Sequence, residues 1–165
     1  MKKTQDFDME IYVRKATISD IPELTELYKG VIHTVNRKDY PDDEIEDWAS
    51  CGDNEEHIEK LITELYFIVA ENTQSQIIGF ESISDKGHLH SMFVHKDFQR
   101  QGIASLLYCE IEKYARERNF YEITSEVSIT ARPFFEKQGF LVNEEWKRKA
   151  NKLRLTNYKM SKRLR

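Results

Sequence analysis

Leu24, Leu27, Tyr28, Val31 and Ile32 recur at three- and four-residue spacing, which predicts a helix that buries one stripe and leaves Glu23, Glu26 and Lys29 in water. Ser19-Asp20-Ile21-Pro22-Glu23 supplies its start, with a capping residue, an early proline and an acid in the first turn. A strand precedes it around Ile11, Val13 and Arg14-Lys15-Ala16-Thr17. Beyond a break at Tyr40-Pro41-Asp42, short helical patterns run through Ile45 and Trp48 and through Ile58, Leu61 and Ile62. The period then shortens. Leu65 to Ala70, Gln76 to Ile83 and His88 to Val94 read as three strands joined by turns too short for a crossover, so they are antiparallel.

Ile103, Leu106, Leu107, Tyr108, Ile111, Tyr114 and Ala115 mark a long amphipathic helix ending near Arg118-Asn119. Glu122 to Val127 reads as a strand, and Ala131 to Lys137 as a short helix opened by Pro133 and closed by Gly139. Two basic strands follow, around Phe140 to Trp146 and Leu153 to Met160. The predicted order is β-α-α-β-β-β-α-β-α-β-β. It implies an α/β (mixed α+β) fold whose central, mostly antiparallel sheet of about seven strands carries helices on both faces, with the strands flanking the long helix parallel.

With 165 residues and no Pro- or Gly-rich linker, the chain is expected to form one domain over 1–165, residues 1–9 being a flexible extension. No apolar run approaches the roughly 20 residues that cross a bilayer. Met1-Lys2-Lys3-Thr4-Gln5-Asp6 lacks the apolar centre of a secretory signal, so a cytoplasmic location without membrane contact is expected. Cys51 and Cys109 sit in no metal-ligand spacing, which argues against a metal site. A net charge of −4 argues against nucleic acid. The charge is uneven: 15 acids against 4 basic residues between Asp20 and Asn72, and 9 basic residues with no acid after Glu145.

The polar loop His95-Lys96-Asp97-Phe98-Gln99-Arg100-Gln101-Gly102-Ile103-Ala104 enters the long helix. A helix start offers up to four N–H groups without intrahelical acceptors and about half a positive charge, so a loop with small side chains there can wrap a phosphate. A tight loop carrying a solvated arginine satisfies the same pattern. Gln99-Arg100-Gln101-Gly102-Ile103-Ala104 resembles the Q/R-x-x-G-x-G/A signature of the GCN5-related N-acetyltransferase (GNAT) superfamily, and Phe134-Phe135-Glu136-Lys137-Gln138-Gly139-Phe140 is similar to that family's F-Y-E-K-x-G-F element. The resemblance implies acetyl-CoA as co-substrate. It implies a pyrophosphate on the backbone amides of Arg100 to Ser105, a pantetheine arm paired with Met92, Phe93 and Val94, and flanking side chains from Ser128 to Lys137, Phe134 and Phe135 among them.

Acetyl transfer to an amine needs the amine neutral. An alkylammonium at pH 7 is about 1 part in 10³ deprotonated, worth roughly 4–5 kcal/mol. His88 and His90 alternate on one strand about 6.6 Å apart, a spacing that suits a shared water. Gly87-His88-Leu89-His90 is similar to the paired-histidine strand of arylalkylamine N-acetyltransferases, which implies proton removal by these two residues. Glu81 on the neighbouring strand is the reserve base. A backbone N–H near Phe93 is the expected oxyanion donor. The chain departs from the family's pattern at Phe135, where many members carry an acidic Tyr, and at Ser128, where Asn is common. Tyr40 and Tyr158 are the alternative hydroxyls.

The acceptor is expected to be a primary amine of a small molecule or peptide, drawn in as a cation by the acidic segment, with Tyr28, Tyr40, Trp48 and Trp146 available to line the mouth. A homodimer stays open. Two other classes stay open as well: a catalytically weak or idle acyl-CoA sensor, and an interaction domain without cofactor.

Overall fold

A computed structural model describes residues 10–165; the extension expected at 1–9 lies outside the described residues. The elements are β1 (Tyr12–Lys15), α1 (Ile21–Thr34), α2 (Asp42–Ser50), α3 (Glu55–Glu64), β2 (Tyr66–Glu71), β3 (Ile77–Ile83), β4 (His88–Val94), α4 (Ile103–Glu117), β5 (Glu122–Ser128), α5 (Arg132–Lys137), β6 (Leu141–Lys149) and β7 (Arg154–Arg163). Three helices therefore separate β1 from β2, as the three helical patterns anticipate and one more than the predicted element order counts. The start of α1 is also built differently from expectation. Asp20 caps nothing with its side chain there; Thr17 and Asp20 form a capping box around a 3₁₀ turn, and Arg14 holds Asp20 at 2.8 Å and Glu71 at 3.0 Å.

The strands make one seven-stranded sheet in the order β1-β2-β3-β4-β5-β7-β6. Every neighbouring pair is antiparallel except β4 with β5, which are parallel as the intervening helix requires. Ile78, Ile83, Leu89, Ile103, Leu107 and Ile111 fill the layer between the sheet and α4. Leu24, Leu27 and Val31 of α1 close the opposite face against Phe67, Val69 and Phe80. Glu23 is not left to water: its carboxylate accepts the Ile77 N–H at 3.1 Å, tying α1 to β3.

At Gly79 the layers come closest. A Cβ there would lie 2.9 Å from Ile103 Cγ2 and 3.1 Å from Leu107, so glycine lets the first turn of α4 lie directly on β3. The far end of the β6–β7 hairpin is tied to α2, because Asp47 accepts the backbone N–H groups of Asn151, Lys152 and Leu153 at 2.9–3.0 Å. No helix among the described residues is long and apolar enough to cross a membrane.

Candidate active site

Pairing between β4 and β5 is confined to His88–Thr124 and Leu89–Ser125, where the Ser125 hydroxyl donates to the Leu89 carbonyl at 2.8 Å. Past Leu89 the strands part and leave a split in the middle of the sheet. A cleft of about 1950 Å³ passes through it, bounded by α1, the 3₁₀ turn at Asn36–Lys38, α2, α5 and the β6–β7 tip. That is about twice the upper range of ordinary small-ligand sites, room for a long ligand and a second substrate together.

At one end of the cleft stands the start of α4. Gly102 caps it with a left-handed φ of 80°, Arg100 takes φ 57°, and no acid occupies the first turn. The Leu106 N–H is the first to reach back, to the Gly102 carbonyl, so the N–H groups of Ile103, Ala104 and Ser105 lack an intrahelical acceptor. A Cβ on Gly102 would meet nothing within 4 Å, so the approach is open, and Lys96, Arg100 and Lys137 are among the cations that line the cleft. Free donors, a positive helix end and cations fit a diphosphate. Gln99 folds back instead, its amide donating to the Val94 carbonyl at 2.6 Å, and Gln101 is exposed outside the lining.

Beta-4 is bulged. Ser82 pairs with Ser91 but Ile83 pairs with Leu89, so His90 is the extra residue. The bulge resets the alternation: Leu89, Met92 and Val94 all lie toward α4, while Phe93 packs with Tyr28 and Trp48 on the other side. It fixes the backbone as well. His95 N–H donates to the Ile78 carbonyl at 2.9 Å, and the parity of the ladder then turns the Phe93 N–H toward Phe80. The N–H groups of Met92 and Val94 face the split. The donor expected near Phe93 therefore belongs to its neighbours, and Phe93 itself contributes a ring.

Burial and charge separate the two histidines. His88 lies 2.9 Å through Nδ1 from the Thr124 hydroxyl and does not line the cleft. His90 lines it, with its ring 6.4 Å from that of His57 and its buried Nδ1 without a partner. Burial, then the charge of Arg148, brings the His90 pKa down to about 4. Burial also lowers that of His88. Glu81 does not reach the cleft at all: it is fully buried, neither carboxylate oxygen has a partner, and burial raises its pKa well above the ordinary range. The reserve base is thus a neutral acid in the core.

Tyr28, Tyr40 and Trp48 line the cleft, whereas Trp146 and Tyr158 do not. Lys159 lies 4.2 Å over the Trp146 ring and Arg132 4.6 Å over Tyr158. Ser128 lines the cleft while its hydroxyl accepts the Ala131 N–H at 3.1 Å. Phe134 and Phe135 both line the cleft, Phe134 half-buried and Phe135 buried against Phe140 with ring centroids 5.0 Å apart. From the acidic stretch only Asp39 and Asp53 reach the lining, and Lys29 neutralises Asp53. Residues with no sequence signal complete the site: His57, Asn36 with its buried Oδ1 unpartnered, and the Glu126–Arg148 ion pair at 3.2 Å. The basic excess after Glu145 was the one hint of Arg148.

Comparison with known proteins finds relatives of the same family and fold. A family model described as an acetyltransferase (GNAT) domain matches residues 36–162. An uncharacterized N-acetyltransferase, YafP, of Escherichia coli K12 is 27% identical over 150 residues, covering 91% of this chain and 94% of the relative. The crystal structure of a GCN5-related N-acetyltransferase from Rhodopseudomonas palustris superimposes with a TM-score of 0.90 at 25% identity, over 94% of this chain and 98% of that one. PaiA N-acetyltransferase from Thermoplasma acidophilum, solved with coenzyme A, shares the fold at a TM-score of 0.78 and 22% identity, over 94% and 99% of the chains.

Proposed function

The chain belongs to the acetyltransferase (GNAT) family, and from that membership we propose that it transfers an acetyl group from acetyl-CoA to the primary amine of a small molecule or peptide by direct attack. The observation that supports this most is the continuity of one cleft from the unpaired N–H groups at the start of α4, past the N–H groups of Met92 and Val94, to the ring of His90 in its lining.

Each part has a role. Arg100 to Ser105 hold the diphosphate through backbone donors and the helix end. Met92 and Val94 present backbone groups to the amides of the pantetheine arm, which would otherwise be buried unpaired at a cost of about 1–3 kcal/mol. One of their N–H groups faces the carbonyl oxygen on which negative charge develops. When bound, acetyl-CoA supplies an activated thioester. His90, held neutral down to about pH 4 by burial and the charge of Arg148, keeps one ring nitrogen with a lone pair at the cleft wall. A proton it receives is passed on to solvent, because so weak a base is a relay and not a store. No hydroxyl stands at Phe135 to protonate the leaving thiolate, which departs unassisted.

Two measurements test the reading. Titration calorimetry should show coenzyme A binding, and free-thiol release with an amine panel should show turnover. Binding without turnover across peptides, polyamines, amino sugars and amino acids assigns the idle-sensor role instead; no binding of either acylated or free coenzyme A overturns both.

A further inference from the structure

We propose that the acceptor carries a carboxylate beside its amine, and that the Glu126–Arg148 pair reads the two charges of such an amino acid. The proposal rests on the acetyl-transfer reading above and names the substrate class of that same cleft.

Glu126 projects from β5 and Arg148 from the end of β6, 22 positions later in the chain, and both line the cleft. Arg148 approaches Glu126 with Nε 3.2 Å from a carboxylate oxygen, and among the described residues this is its one ion pair. Among the described residues its guanidinium donates no hydrogen bond, although a guanidinium holds carboxylates best through two parallel N–H donors, so that fork is open to a ligand. The side chains are 41% and 26% exposed, so the pair is open to a ligand from the cleft. Its charge acts across the space, on Tyr28, Cys51 and His90.

The surroundings sharpen the class. Lys149 also lines this end, and Asp53, the nearby acid contributed by the helical segment, is matched by Lys29. Asp39 also lines the cleft, engaged by the Thr130 hydroxyl at 2.7 Å and with Lys38 beside it in the chain, so against Glu126 the charges of Arg148 and Lys149 leave a positive excess. A polyamine would meet that charge unfavourably; an amine with a neighbouring carboxylate meets both members of the pair with opposite signs. Tyr28, Trp48 and Phe93, with centroids 4.9 and 6.4 Å apart along the cluster, give the apolar wall on which a hydrophobic side chain rests.

Matched acceptors test this: alanine against ethylamine, leucine against isoamylamine, phenylalanine against phenethylamine. The carboxylated member of each pair should have at least tenfold higher kcat/KM. In Arg148→Gln that preference should disappear through KM, and Arg148→Lys should restore part of it. A second arm needs no turnover: calorimetry of N-acetylphenylalanine and N-acetylphenethylamine with the coenzyme A-saturated protein. Tighter binding of the carboxylate, lost in Arg148→Gln while coenzyme A still binds, supports the proposal even where no amine is acetylated, a result that would sink the transfer reading alone. Equal or weaker binding of the carboxylate, or binding of neither, overturns the proposal.

Discussion

Tyr40 donates its hydroxyl proton to the backbone carbonyl of Thr156 at 2.7 Å and accepts the Ile129 N–H at 2.9 Å, joining α2's entry to the ends of β5 and β7. Burial pushes its pKa up to about 12. Both bonds are spent on the scaffold, so the hydroxyl is a poor source of a proton for a leaving thiolate. Tyr40→Phe should cost about 1–3 kcal/mol in urea unfolding, from two backbone groups left unpaired. At temperatures where the variant is folded, kcat should change less than about threefold, well short of the 10²–10⁴ of a lost general acid. A collapse of kcat with little loss of stability would make Tyr40 the acid after all.

The two strand histidines should behave differently. His90→Gln should lower kcat/KM by about 10² or more, whereas His88→Gln, whose ring is engaged by Thr124 outside the cleft, should lower it only a few-fold. The wild-type pH–rate profile should show no break from His90 between about pH 5 and 7, since its pKa lies near 4. Stability carries the same signature. The unfolded chain takes up a proton near the ordinary histidine value of about 6.5 and the folded one only near 4, so wild type loses stability as pH falls across that window, by up to about 3 kcal/mol. His90→Gln should flatten that slope. A break below pH 6.5 that vanishes in His88→Gln would move the role to His88.

What could be read in the sequence was whatever repeats. The 3.6-residue stripe of α4 ran over four turns, and the strands on either side of it had to be parallel; the structure has both. A bulge repeats nothing. One extra residue at His90 left no compositional mark, yet it decided that Met92 and Val94, and not Phe93, turn their N–H groups to the split. Arg148 meets Glu126 only because the β6–β7 hairpin folds back over α2, a relation no local window contains. Glu81 misled for the opposite reason: in a central strand both faces are buried, so polarity at that position did not mean solvent or site.

Glu81 should therefore be a liability to folding. Its carboxyl stays protonated in the core while the unfolded chain ionises above about pH 4.3, so wild-type stability falls as pH rises beyond that value. The slope is opposite in sign to that from His90. Glu81→Met, close in volume and without the orphaned oxygens, should be more stable by about 1–3 kcal/mol at pH 7. The gain should shrink toward pH 4. Urea midpoints at pH 4, 6 and 8 check this, and a gain that is constant with pH would mean that Glu81 is not held neutral.

Asp47 links the two walls of the acceptor end without lining it. Its carboxylate accepts three consecutive N–H groups at the hairpin tip; burial opposes its ionisation, but these donors outweigh that and hold its pKa below the usual range. The tip follows directly on Arg148 and Lys149, and α2 carries Trp48, so the tie sets the distance between the charged and the aromatic walls. The bonds are exposed and water can replace them, hence Asp47→Ala should cost little stability. Geometry should suffer more: the KM for the acceptor should rise about five- to tenfold, with the Kd for coenzyme A unchanged because Asp47 bonds to neither the start of α4 nor β4. Asp47→Asn retains one oxygen that can accept from the same N–H groups and should stay near wild type. Equal losses in coenzyme A and acceptor affinity would show that the tie supports the whole fold and not the acceptor wall.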